Sequence, residues 1–142
     1  KVQLGAYLGA ISLFNAGSGI AQALSYPLGV YFSVPHGIAG AVFLPHEIAF
    51  NVRHGYNYEE LYDRIEGMNR ALPVREKNKL FMEKCFDLCE ALDIPKSLHA
   101  FGVDQGNIDI LINQVDTLAK NFAQNPIPYS IEEGKALLGK MI

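Results

Sequence analysis

Through the first half of the chain, apolar side chains recur at helical spacing and the polar positions between them are few. Val2, Leu4, Leu8 and Ile11 mark an amphipathic helix over residues 2–14, because positions three and four apart share one helix face. Asn15-Ala16-Gly17 closes it with the glycine that a left-handed helix end favours. Ser18 is placed to cap a second helix running to about Leu24. Pro27 and Gly29 then bend or break it, since proline lacks the ladder N–H and its ring crowds the preceding turn. Pro35 stands where a helix can begin, and Gly37 to Asn51 continue it with a kink before Pro45. Gly55-Tyr56-Asn57 forms a turn before a short acidic helix from Tyr58 to Met68.

The second half keeps the same period. Pro73 precedes a helix over 75–92 that ends at Asp93-Ile94-Pro95. Leu98-His99-Ala100-Phe101 reads as one helical turn with Gly102 as its stop. Asp104 caps a helix over 106–121 that carries Ile108, Leu111, Ile112, Val115, Leu118 and Ala119 on one face. Asn125-Pro126-Ile127-Pro128 is a rigid extended link, and Ser130 with Glu133 forms a capping box that opens a last helix ending at Ile142. No strand-like alternation, repeat or low-complexity run occurs, so the pattern predicts an all-α, multi-helix domain. Helical spacing starts at Val2 with no N-cap before it and no initiator methionine. The expectation is a chain that begins inside a helix, with upstream sequence missing.

Composition narrows the function classes. A chain of 142 residues, 49% hydrophobic and 19% charged, fits one domain with apolar surface enough to offset chain entropy. The net charge of −3 and the scattered Lys and Arg lack the basic stripe of a nucleic-acid binder. Arg75-Glu76-Lys77-Asn78-Lys79 reads as a solvated helix face. In the apolar region Gly17–Ile48, Gln22, Tyr26, Pro27, His36, Pro45, His46 and Glu47 interrupt any run of the ~18 residues that a membrane span needs. Neither a nucleic-acid nor a membrane partner is expected. Cys85 and Cys89 lie four apart on a stripe with Phe81, Leu88 and Leu92, which reads as core packing rather than a zinc site. Unpaired thiols of this kind suit a reducing, cytoplasmic setting.

Buried polar groups need partners, so the polar residues of the apolar middle are the ones to explain. Gln22 and Tyr26 share one helix face, and His36 follows a bend bracketed by Pro and Gly that can turn it back towards them. The three form a polar cluster in an apolar shell, either lining a site or making a structural hydrogen-bond network. His46 is placed to satisfy backbone groups left free by Pro45, and Glu47 carries less weight. His54 sits where an imidazole faces a helix C-terminal dipole; His99 reads as a loop histidine. Glu59, Glu60, Asp63 and Glu66 read as a solvated acidic face without basic partners. Nucleophile-elbow, H-E-x-x-H, P-loop and dinucleotide-binding glycine motifs are all missing.

The run from Asn15 to Gly29, Val34-Pro35-His36-Gly37, Leu44-Pro45-His46 and Phe50-Asn51 together resemble the iron-containing alcohol dehydrogenases, whose fold is dehydroquinate synthase-like. That family shows G-x-x-H-x-x-x-H-x-x-G, then P-H-G, then L-P-H and a nearby Asn. Asp93-Ile94-Pro95 before Leu98, Gly102-Val103 and Asn125-Pro126 before the final helix fit as well, so the resemblance covers nearly the whole chain.

The resemblance implies a two-domain enzyme, with an N-terminal α/β domain binding NAD(P) and a C-terminal helical domain supplying most ligands of an iron or zinc ion. Residues 1–142 correspond to that helical metal and substrate domain, with the cofactor-binding domain absent and the first two metal ligands upstream of Lys1. By position, the third metal-ligand histidine falls at Gln22, and the next histidine, near substrate and nicotinamide, falls at Tyr26. The fourth metal-ligand histidine falls at His36. A neutral Gln oxygen binds iron or zinc more weakly than imidazole, and a phenol is a poor proton shuttle at neutral pH. The implied partners are a small alcohol or aldehyde substrate and the missing N-terminal domain, with room for a homo-oligomer. Three readings follow: a metal-dependent alcohol dehydrogenase, a relative in which Gln22, Tyr26 and His36 hold the carbonyl oxygen by hydrogen bonds, and a non-catalytic binding or assembly protein. The altered ligand positions favour an NAD(P)-linked oxidoreductase whose metal site is weakened or lost.

Overall fold

The computed structural model describes residues 2–142. Its long helices are α1 (Val2–Ala16), α2 (Ile20–Phe32), α3 (His36–Arg53), α5 (Val74–Ala91) and α8 (Ile131–Lys140). Shorter pieces lie between them: α4 (Glu59–Tyr62), a 3₁₀ turn at Leu98–Phe101, α6 (Asp109–Val115), a 3₁₀ turn at Asp116–Leu118 and α7 (Ala119–Phe122). The described residues hold no strand, and the domain is all-α.

Helix α2 is the element on which the others converge, packing on α3 most extensively and on α6 and α7. Its apolar positions Ile20, Ala23, Leu24 and Leu28 are buried, and they share one core with Ala39, Val42 and Phe43 of α3. Leu111 and Val115 of α6, Phe122 of α7 and Leu138 of α8 join that core, as do Leu98, Val103 and Met141. Gly134 lets α8 come close, because a Cβ there would lie 2.9 Å from Val115 Cγ1 and 3.1 Å from the Phe122 ring. The capping box opens α8 as the spacing predicts, with Ser130 Oγ accepting from Glu133 N and Glu133 Oε2 accepting from Ser130 N.

The second constraint is a buried amide pair. Asn51, fully buried near the end of α3, donates to Asn125 Oδ1 at 3.1 Å and to Tyr58 OH at 2.9 Å. Asn125 donates back to Asn51 Oδ1 at 2.7 Å and to Ile127 O at 2.6 Å. This reciprocal pair ties α3 to the Pro-rich link 74 residues away in sequence, and it satisfies polar groups that would otherwise be costly inside the protein.

Several expectations need correction. Helix α2 does not break at Pro27 but runs through it to Phe32 and ends at Ser33, which has φ +55°. Pro27 and Leu28 are buried, and that burial offsets the roughly 3 kcal/mol that an interior proline costs a helix. Helix α3, as expected, continues through Pro45, which is buried. The acidic helix shrinks to the single turn α4, and the expected 106–121 helix is divided at the 3₁₀ turn 116–118. Lys77 is not on a solvated face: it is 3% exposed and donates to Glu59 Oε1 at 2.8 Å and Asp63 Oδ2 at 3.0 Å. Glu59 and Asp63 are therefore partners of a buried lysine, and they anchor α4 to α5. On the cysteine stripe, Phe81, Cys85 and Cys89 are half-buried whereas Leu88 and Leu92 face solvent.

Helix α1 leaves Gly17 (φ +80°) at 106° to α2 and buries none of its side chains, with Phe14 90% exposed. Among the described residues no single helix is long and apolar enough to cross a membrane.

Replacing Asn125 by Ala strands the Asn51 amide in the core and should lower stability by about 2 kcal/mol, measured by urea unfolding. A loss within experimental error would show that the pair is not a stabilising tie.

Candidate functional site

Helix periodicity places Gln22 and Tyr26 on the edge of α2 beside the start of α3, where His36 is the first residue. The αL residue Ser33 and the extended Pro35 reverse the chain between the two helices. Gln22 Nε2 donates to Tyr26 OH at 3.1 Å and lies 3.3 Å from His36 Nε2, to which it donates when that nitrogen carries no proton. The Tyr26 and His36 rings are 5.8 Å apart between centroids. The structure thus joins the three residues singled out from sequence.

Their surroundings differ from the expected apolar shell. Gln22 is half-buried, Tyr26 is 51% exposed and His36 is exposed, because the buried stripe of α2 faces the core and leaves this edge open. Gln22, but neither ring, also reaches a cavity of about 350 Å³ between α1, the start of α2 and α3, which Leu44 and Glu47 line as well. Tyr26 OH accepts from Gln22, so its own proton is free to be donated outward, and the cluster can hold an oxygen of a small ligand through that hydroxyl. Among the described residues no three His, Cys, Asp or Glu side chains gather as a metal would require.

Glu47 has a role that sequence spacing did not reveal. Its Oε2 accepts from Ala21 N at 2.6 Å, so a carboxylate from α3 caps the first turn of α2. Gly19, the N-cap, has no Cβ, and one there would overlap the Glu47 carboxylate. The nearest sequence signal was the Gly-Ser-Gly run itself. Burial pushes the Glu47 carboxyl above its usual range, while the N–H groups of Ala21 and Ile20 pull it the other way. Ser18 is not the cap: its N and Oγ both donate to Gln124 Oε1, and it accepts from Asn121 Nδ2.

The remaining histidines stand apart from the cluster. His46 does not serve backbone groups; its ring packs edge-on against Phe86, and burial followed by the Arg53 charge lowers its pKa. His54 meets the helix end as expected, with Nδ1 2.8 Å from Phe50 O. His99 lies exposed in the 3₁₀ turn. Burial raises both thiols, Cys85 and Cys89, which keeps them protonated and unreactive at neutral pH.

Comparison with known proteins follows the same outline. The model of the Fe-containing alcohol dehydrogenase family, C-terminal, matches residues 1–142, and the chain belongs to this family. A long-chain-alcohol dehydrogenase 1 from Geobacillus thermodenitrificans (strain NG80-2) is 28% identical over 131 residues, which is 87% of this chain and 32% of the relative. The crystal structure of a 1,3-propanediol oxidoreductase superposes with a TM-score of 0.73 over 89% of this chain and 33% of its own, at 24% identity. That likeness shows the fold. The chain spans about a third of the length of either relative.

Removing the α2 cap with Glu47→Ala should cost about 1–2 kcal/mol, and Glu47→Gln less, because one acceptor remains. Gly19→Ala displaces the same carboxylate, so the double variant Gly19→Ala/Glu47→Ala should lose no more than the larger single loss. A folded-state pKa raised above the ordinary 4.5 means that Glu47 contributes most stability below pH 4.5, and that the contribution falls as pH rises through the raised value. The stability gap between the wild-type chain and Glu47→Gln should therefore narrow as pH climbs through that window. Urea unfolding across the pH series checks it; a widening gap contradicts the assignment.

Proposed function

We propose that this chain is the helical, substrate-side domain of an NAD(P)-linked oxidoreductase that interconverts a small alcohol and its aldehyde or ketone, with the family's metal site weakened or lost. The observation carrying this reading is the Gln22–Tyr26–His36 cluster, which lies where the family resemblance puts metal and substrate and has lost two of the three imidazoles expected there.

The donor chemistry does not fit a resident iron or zinc ion. Of the three side chains only His36 is an ordinary ligand, and its Nε2 faces the Gln22 amide N–H donor at 3.3 Å. The neutral Gln22 amide adds little affinity for such an ion, and Tyr26 supplies no imidazole. The residues instead suit an oxygen: Gln22 orients the Tyr26 hydroxyl, which donates to the carbonyl oxygen where negative charge develops during reduction. NAD(P), held by a domain outside this chain, would supply the hydride to the carbonyl carbon. Tyr26 holds the oxygen through its hydroxyl, and the proton that completes the reduction comes from solvent at the exposed face of the cluster. In the oxidative direction the alcohol proton leaves to solvent by the same face.

The loss of two of the three expected imidazoles also admits a second reading, a binding or assembly protein that keeps the fold without catalysis. NAD(P) binding by the full-length protein separates the two, since the second reading needs none.

Full-length protein purified without chelators should carry well under one equivalent of iron or zinc by elemental analysis. One equivalent with Gln22 in its coordination shell contradicts the metal-free mechanism. Tyr26→Phe should lower kcat for carbonyl reduction by about 10² while leaving NAD(P) affinity unchanged. Gln22→His combined with Tyr26→His should raise metal affinity; no change would argue against placing these positions at the metal site.

A further inference from the structure

At the end of α3 opposite His36 lies a separate cavity of about 400 Å³, formed by the last turns of α3, one face of α8, Tyr129 and the loop at Lys96. Its apolar wall includes Phe50, Tyr129 and Leu137, and the Phe50 and Tyr129 rings meet edge to face with centroids 4.7 Å apart. Three cations, Arg53, Lys96 and Lys140, share its lining with a single carboxylate, Glu133. That carboxylate is already engaged, accepting from Ser130 N at 2.7 Å in the capping box.

The cations are unequally occupied. Lys96 pairs with Glu90 at 2.9 Å. Arg53 donates from Nε to Ala49 O at 3.2 Å, and among the described residues neither Arg53 nor Lys140 belongs to an ion pair. Each ends a helix, where a cation offsets the negative end of the helix dipole. The dipole accounts for each one singly. It does not account for their convergence, with Lys96, on one aromatic-walled cavity. The charge of Arg53 is felt inside that cavity, since together with burial it lowers the pKa of His46 on the wall.

We infer that this cavity binds a small organic anion, with a flat or aliphatic body against Phe50 and Tyr129 and its carboxylate or phosphate between Arg53 and Lys140. The apolar wall supplies contact area, and the unpaired guanidinium and ammonium supply charge-assisted hydrogen bonds. The site is independent of the Gln22–Tyr26–His36 cluster, and it stands or falls separately from the proposed oxidoreductase activity.

Isothermal titration of the full-length protein with phenyl phosphate, benzoate, inorganic phosphate and benzyl alcohol tests it. Phenyl phosphate or benzoate should bind one to one, at least about tenfold more tightly than inorganic phosphate or the neutral alcohol; which of the two binds better identifies the anionic group. Lys140→Glu and Arg53→Gln should each weaken that binding about tenfold or more, whereas Lys120→Glu on α7 should leave it unchanged. In the unsubstituted protein, the ring NMR signals of His46 and His54 should shift on titration while those of His36 and His99 stay. The inference is overturned by absence of saturable binding, by equal binding of benzyl alcohol or of inorganic phosphate, by an equal effect of Lys120→Glu, or by shifts at His36 in place of His54.

Discussion

The side chain of Glu47, reaching from α3, holds the start of α2, the helix at the centre of the core. Helix α2 carries the central stripe of the core, and α3, α6 and α7 all pack on it. Its first-turn N–H groups have no partner within the helix; Glu47, reaching across from α3, accepts from Ala21 N at 2.6 Å. The contact is possible because Gly19 presents no side chain there. One interaction therefore links an N-terminal cap, a glycine requirement and the pairing of the two helices.

The same pairing creates the candidate site. Gln22 and His36 are fourteen positions apart, yet the α2–α3 reversal brings Gln22 Nε2 and His36 Nε2 to 3.3 Å. The buried stripe of α2 and the polar edge carrying Gln22 and Tyr26 are two faces of one helix, so packing of the first fixes the second. What emerges is a hydrogen-bonding surface that presents the Tyr26 hydroxyl outward. Far along α3, where Arg53 ends the helix, a different chemistry takes over, with three cations and two aromatic rings lining one cavity. A single long helix thus separates a hydrogen-bonding cluster from a cavity lined by cations.

Much of this was legible in the residues. The capping box at Ser130 and Glu133, the stop at Gly17, the start after Pro35 and the Gln22–Tyr26–His36 grouping follow from short-range geometry, and the fold follows from periodicity. What escaped depends on contacts between residues distant in sequence. The run through Pro27 required knowing that its ring is buried, and the Lys77 ion pairs with Glu59 and Asp63 cross the loop between α4 and α5. The Asn51–Asn125 pair spans 74 positions. Glu47 was hidden for the same reason, since its partner is the backbone of another helix. The openness of the site was also invisible, because a polar residue within an apolar run reads as buried until the helix is oriented.

The central claim is that the chain's own hydrogen-bond donors, rather than a metal ion, hold the substrate oxygen. The most direct measurement is the rate at which the full-length protein oxidises NAD(P)H with a small aldehyde before and after exhaustive chelation. The account predicts a rate unchanged by chelation. Loss of activity on chelation, restored by adding back iron or zinc, would contradict it.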